Sequence, residues 1–111
     1  MKIINFCFGS IILIKYPFSD FSDFKKRPAI VLKKNNDDIC VIFLSSNLEN
    51  KAKEDLIIKK NAENNLAVDS VCKILKIATL HESLIYKKIG ILNQDQKISL
   101  KNSLIELIKS L

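Results

Sequence analysis

Apolar residues in this chain come in short runs separated by polar clusters, and the runs change period only once. Residues 10–18, SIILIKYPF, are dense in isoleucine and aromatics and predict a strand ended by Pro17. A polar loop over 19–26 leads to RPAIVLKK, a second strand with Pro28 near its start. Asn35, Asn36, Asp37 and Asp38 make a turn, and ICVIFL over 39–44 is a third strand. That run is continuously apolar, so both of its faces should be covered. Residues 48–55 read as loop, 55–60 as a short strand and 61–69 as a further polar connection. Strands over 70–80 and 84–92 follow, separated by a turn at 81–83, with Gly90 at a bend.

The tail changes period. Asn93 is a good N-cap and Gln96 stands three residues later, a partial capping box. Ile98, Leu104, Ile105, Ile108 and Leu111 then recur at helical spacing, and Leu100 and Leu107 widen the stripe. Five or six short strands and one closing helix predict a mainly β fold: a small, strongly curved sheet or partly closed barrel with a helix at one end.

Composition narrows the classes. With 111 residues, 48% hydrophobic and 27% charged, the chain should fold as one domain over 1–111 and not be disordered. It is too short for a multi-domain enzyme, a TIM barrel or a full dinucleotide-binding fold. The net charge of +6 favours an anionic partner. Seventeen of the 18 basic residues are lysine, and Arg27 is the only arginine. Cys7, Cys40 and Cys72 lie far apart and each sits in an apolar run, so buried reduced thiols and a cytoplasmic location are expected. With one histidine, His81, and no CxxC, no metal site or cofactor is expected. The start, MKIINFCFGSIILI, is interrupted by Asn5, Gly9 and Ser10 and carries no cleavage pattern, so it reads as a leader segment and first strand.

Candidate chemistry comes from the second and third strands. If their turn centres on Asn36, opposed residues have numbers that sum to about 72, and Arg27 faces Ser45. A register change of one would pair Arg27 with Leu44 or Ser46. A guanidinium beside a hydroxyl suits a phosphodiester: it can hold two oxygens and offset the charge built up in the transition state. RNA brings its own nucleophile, the 2′-hydroxyl. The plainer alternative is a solvated charge at a strand start and a serine in a turn. Lysine pairs such as Lys25–Lys26 could contact phosphates or simply be solvated. Phe18, Phe21 and Phe24 could stack on unpaired bases or tuck into the core. His81 reads as a surface residue.

These segments carry a family resemblance. GSIILIKYPFSDFSDFKKRPAIVL resembles the opening of the MazF/PemK toxins, with Pro-Phe, a polar loop and Arg-Pro before an apolar strand. VIFLSSN resembles their next strand, and SVCKILKIATLHESLIYKKIGIL their later Thr-Leu turn and Ile-Gly strand. The resemblance implies an SH3-like small barrel of the MazF/PemK/CcdB type, a homodimer, and a cytoplasmic toxin of a type II toxin–antitoxin module. The implied activity is metal-independent, sequence-selective cleavage of single-stranded RNA to a 2′,3′-cyclic phosphate and a 5′-hydroxyl. The implied partners are that RNA and a cognate antitoxin with an acidic segment. The family's catalytic Arg falls on Arg27 and its Ser/Thr on Ser45; Phe18, Lys25, Lys26, Ser46, Asn47 and Lys73 are the expected substrate contacts. Ser10 stands where an acid is common, as do Leu75 and His81, and Ala78 stands where Arg is common. The loss of an acid at Leu75 motivates the alternative of a catalytically weak or inactive RNA- or antitoxin-binding module. A gyrase-directed toxin of the same fold would be expected to end in a Trp-containing tail, which this chain lacks.

Overall fold

A computed structural model describes residues 6–16 and 25–111. Its hairpin shows how register is set. β2 (Lys25–Asn35) and β3 (Asp38–Ser45) are joined across Asn36 and Asp37, with Asn35 opposite Asp38. Asn36 takes a φ of 57°, a region that asparagine tolerates. Leu32 is then an extra residue on β2, and past this bulge the pairs are Val31–Val41, Ile30–Ile42 and Ala29–Phe43. The numbers sum to 73 before the bulge and 72 after it. The expected register is therefore present at the open end of the hairpin, but a two-residue turn corrected by a bulge produces it.

β1 (Ser10–Tyr16) lies beside β2, and β6 (Ile85–Ile91) lies beside β1. On the other flank β5 (Ser70–His81) pairs with β3, and the three-residue β4 (Leu56–Ile58) pairs with β5. The order is β4-β5-β3-β2-β1-β6, all neighbours antiparallel. Short 3₁₀ turns at Leu48–Asn50 and Glu82–Leu84 fall in segments expected to be loop and turn.

The sheet is not closed into a barrel, which corrects the expected SH3-like barrel. β4 and β6 are its edges, and no ladder joins them. The 59–66 segment comes up against β6 instead. The Ile91 N–H donates to Glu63 O at 3.0 Å, and Asn65 Nδ2 donates to Ile89 O at 2.9 Å. A three-residue strand is too short to carry a closing ladder, and the polar run after it forms turns rather than strand. What survives of the expectation is a mainly β fold with a C-terminal helix.

Both faces of the sheet are apolar. One cluster includes Ile11, Ile30, Ile42, Ile74, Leu92 and Leu100, so the helix belongs to this face. The other includes Ile12, Ile14, Ala29, Val31, Ile39 and Val41. Alternation along β1, β2 and β3 sends successive residues to opposite clusters, as continuously apolar strands require.

Helix α1 (Gln94–Lys109) begins with the full capping box: Asn93 Oδ1 accepts from the Gln96 N–H, and Gln96 Oε1 accepts from the Asn93 N–H. Its inward positions are Leu100, Leu104 and Leu107, spaced i, i+4, i+7. Ile98, Ile105 and Ile108 of the expected stripe are exposed. Of the three cysteines only Cys72 is fully buried; Cys7 is exposed, against expectation. Among the described residues no helix is long and apolar enough to cross a membrane.

Candidate functional site

Past Ala29 and Phe43 the β2–β3 ladder stops, and the two strands separate. β2 continues outward paired only with β1, with Arg27 opposite Ile14. β3 continues paired with β5, with Ser45 opposite Val71. Pro28, with no N–H, takes one donor out of β2 where the ladder ends. Arg27 and Ser45 each lie two residues beyond the last pair, on the same face as Ala29 and Phe43.

β5 opens the gap further. Ile42 pairs with Ile77 and Leu44 with Cys72, so residues 73–76 stand against Phe43 alone. This wide bulge bends β5 away from β3. It leaves a hollow of about 450 Å³ lined by Arg27, Phe43, Leu44, Ser45, Lys73, Lys76, Ile77 and Ala78. The structure thus brings the two residues of the hairpin arithmetic to one concavity, with two lysines and no carboxylate in its lining. Lys76 was missed by sequence reasoning, because nothing in VCKILKI marks a bulge.

The side chains differ in what they have left to give. Ser45 Oγ accepts from the Asn47 N–H at 3.2 Å. Its O–H can still donate to an incoming oxygen. The Asn47 side chain is exposed, and its Oδ1 caps the first 3₁₀ turn by accepting from the Glu49 N–H. Lys73 is also committed. Its Nζ lies 2.6 Å from Asp55 Oδ2 and donates to Asn50 O at 2.8 Å. Asp55 is buried and also accepts from the N–H groups of Ala52 and Ile74. Burial works to raise its pKa, but Lys73 and the two N–H donors outweigh that and hold it below the usual carboxylate range. Burial, with the Asp55 charge adding to it, pushes the adjacent Cys72 thiol up to about 12. Leu75, where the acid was noted as missing, is exposed and points away from this hollow, beside Glu106 and Leu107 of α1.

A second hollow, of about 520 Å³, shares Arg27, Leu44 and Ser45 with the first. Lys25, Lys26 and Ser46 line it. Lys26 Nζ also sits 3.8 Å from the ring centre of Tyr86, and the Lys26 ammonium lowers the Tyr86 phenol pKa. Phe18 lies outside the described residues, as do Phe21 and Phe24. His81 is exposed, and its Nδ1 accepts from the Ser83 N–H. Among the described residues no group of three or more His, Cys, Asp or Glu could hold a metal ion.

An antiparallel sheet with one C-terminal helix, parted at one end around an arginine, a serine and several lysines, defines a small β protein with a cationic hollow. Its sequence matches the family of PemK-like, MazF-like toxins of type II toxin–antitoxin systems over residues 8–108, and the chain belongs to that family. Two solved structures share the fold. A Mycobacterium tuberculosis toxin, MazF-mt6, is 17% identical, with a TM-score of 0.70 over 90% of this chain and 96% of that one. An endoribonuclease in complex with its cognate antitoxin, from a mycobacterial species, is 10% identical, with a TM-score of 0.69 over 91% and 92%. No curated protein matches the chain significantly.

Proposed function

We propose that this toxin is a metal-independent endoribonuclease acting on single-stranded RNA, with the parted end of β2 and β3 as its active site. The observation that carries the proposal is the placing of Arg27 and Ser45 in one hollow whose lining holds no carboxylate. In this reading the guanidinium of Arg27 binds two non-bridging oxygens of the scissile phosphate and offsets the charge of the phosphorane. The Ser45 O–H donates to the same phosphate. The 2′-oxygen attacks phosphorus, its proton passing to water in the open hollow. The bond from phosphorus to the 5′-oxygen breaks, and that oxygen takes a proton from water. The products are a 2′,3′-cyclic phosphate and a 5′-hydroxyl.

Lys25, Lys26 and Lys76 supply the positive field that draws the strand in, and Ser46 borders the path. Lys73, held by Asp55, positions the 50–55 segment instead of reaching substrate, and Asn47 serves through the turn it caps. A cytoplasmic homodimer, and an antitoxin whose acidic segment occupies the cationic hollow, belong to the same reading. They are supported by family membership and by the antitoxin complex of the structural relative.

The test is incubation with a long single-stranded RNA in EDTA, wild type beside Arg27→Ala, with 5′-hydroxyl ends mapped. Discrete cuts by wild type alone are expected. Equal cutting by the variant would remove Arg27 from the mechanism. No cutting by a folded wild type that still binds RNA would leave a binding module.

A further inference from the structure

The second hollow differs in character from the first. Its apolar lining includes Leu44, Leu66 and Ile89 of the helix-side cluster, together with Leu13, Pro28 and Val68. Lys25, Lys26 and Lys87 line it too, as do the polar side chains of Ser46, Asn65 and Ser70. An apolar floor under cations fits a flat aromatic group that carries a phosphate. An unpaired nucleobase is such a group.

Asn65 is the residue here with something to read. Its Nδ2 donates to Ile89 O at 2.9 Å. A carbonyl only accepts, so this contact fixes which end of the amide is which. The group left over is Oδ1, an acceptor on a residue that lines the hollow.

That acceptor stands on a rigid mount. The side chain of Asn64, fully buried, accepts from the N–H groups of Asn61 and Leu66 and donates to Lys59 O. Asn61 Oδ1 accepts from the N–H groups of Glu63 and Asn64. Gln96 of the helix cap donates to Lys59 O at 3.0 Å. On the β6 side, the carbonyls of Glu63 and Asn64 press so closely on Gly90 that a Cβ there would meet both at 2.5 Å. Asn65 itself is held at a φ of 55°. Preorganisation of this kind is what a base-reading group needs and a solvated loop lacks.

We infer that the second hollow is a base subsite for the nucleotide flanking the phosphate at Arg27, and that Asn65 Oδ1 selects a base presenting an N–H donor there. The subsite rests on the nuclease reading for the placing of the phosphate, but base selection does not depend on cleavage. Arg27 and Ser45 form the wall common to both hollows, so one strand can lay its phosphate at that wall and its neighbouring base in the second hollow.

The experiment selects bound sequences from a randomised 2′-O-methyl RNA library, which lacks the nucleophile and cannot be cut. Wild type is compared with Asn65→Gly, which keeps the positive φ without strain. Wild type is expected to enrich, at one position, bases that present an N–H donor. Asn65→Gly should lose that enrichment roughly five- to tenfold, the worth of one hydrogen bond, with affinity falling only for RNAs that carry the selected base and preferences at other positions kept. Lys87→Gln serves as control: it should weaken binding to all sequences alike. A library with no positional preference for wild type would overturn the inference, as would a preference unchanged in Asn65→Gly. If wild type selects bases through Asn65 yet cuts no RNA in EDTA, the subsite stands and the nuclease reading falls.

Discussion

Two polar regions flank the open side of this sheet, and they treat their hydrogen-bonding groups in opposite ways. Around Asn64 the side-chain donors and acceptors find partners within the chain, and the described residues contain no buried side-chain polar atom without one. In the hollow at Arg27 the chain gathers cations, leaves carboxylates out of the lining, and places Ser45 there with its O–H not used in the Asn47 contact. The first arrangement is what stability requires, because an unmet buried polar group costs about 1–3 kcal/mol. The second suits the anionic substrate proposed for this site. Lys73 shows the boundary between them: it borders the hollow, yet its charge belongs to Asp55.

The comparison breaks first at Arg27. Arg27→Ala should lower cleavage by a factor of roughly 10²–10³, comparable to loss of an oxyanion donor, and leave thermal unfolding nearly unchanged. Cleavage kinetics beside a melting curve would show both. Gly90→Ala should do the reverse. The new Cβ would run into two backbone carbonyls that the Asn61–Gln96 network holds in place, at a cost of about 2–4 kcal/mol in denaturant titrations.

Asp55→Asn probes the boundary. A carboxyl whose folded pKa is depressed contributes stability that is fully present above the unfolded value near 3.9 and is lost as pH falls through the folded value. Wild type should therefore lose its advantage over Asp55→Asn on acidification below about pH 4. Melting temperatures at pH 7, 4 and 3 measure the narrowing gap. Smallest of all, Glu82→Gln removes a surface pair with Lys34 at 3.2 Å, both side chains partly exposed, and should cost under about 0.5 kcal/mol.

Much of the fold was legible because periodicity is local. Six strands and a capped helix follow from runs of isoleucine, from Asn93 and from Gln96. The meeting of Arg27 and Ser45 was legible because a hairpin is a local device too, although its turn was centred one half-residue away and Leu32 restored the register. The barrel was not legible, since closure depends on whether β4 can meet β6 across the molecule. Three residues of strand and an asparagine-rich turn decided against it. The helix stripe was drawn too wide for a related reason: Leu100, Leu104 and Leu107 do pack inward, but spacing also admits Ile105 and Ile108, which only packing leaves outside. The reach of β5 around Phe43, the pairing of Lys73 with Asp55 and the mount under Asn65 all join residues distant in sequence, and no spacing announces them.

The open sheet leaves two strand edges in a protein built largely of isoleucine-rich strands, and such edges invite strands from other molecules. Each edge is defended differently. β4 offers only three residues to pair with. β6 carries Lys87 and Lys88 in mid-strand, and its ladder is interrupted on both sides of them by the extra residues Tyr86 and Ile89. Lysines and bulges on an exposed strand are the usual obstacles to edge-to-edge growth. The same Lys87 that borders the base subsite thus stands where a strand from another molecule would have to pair.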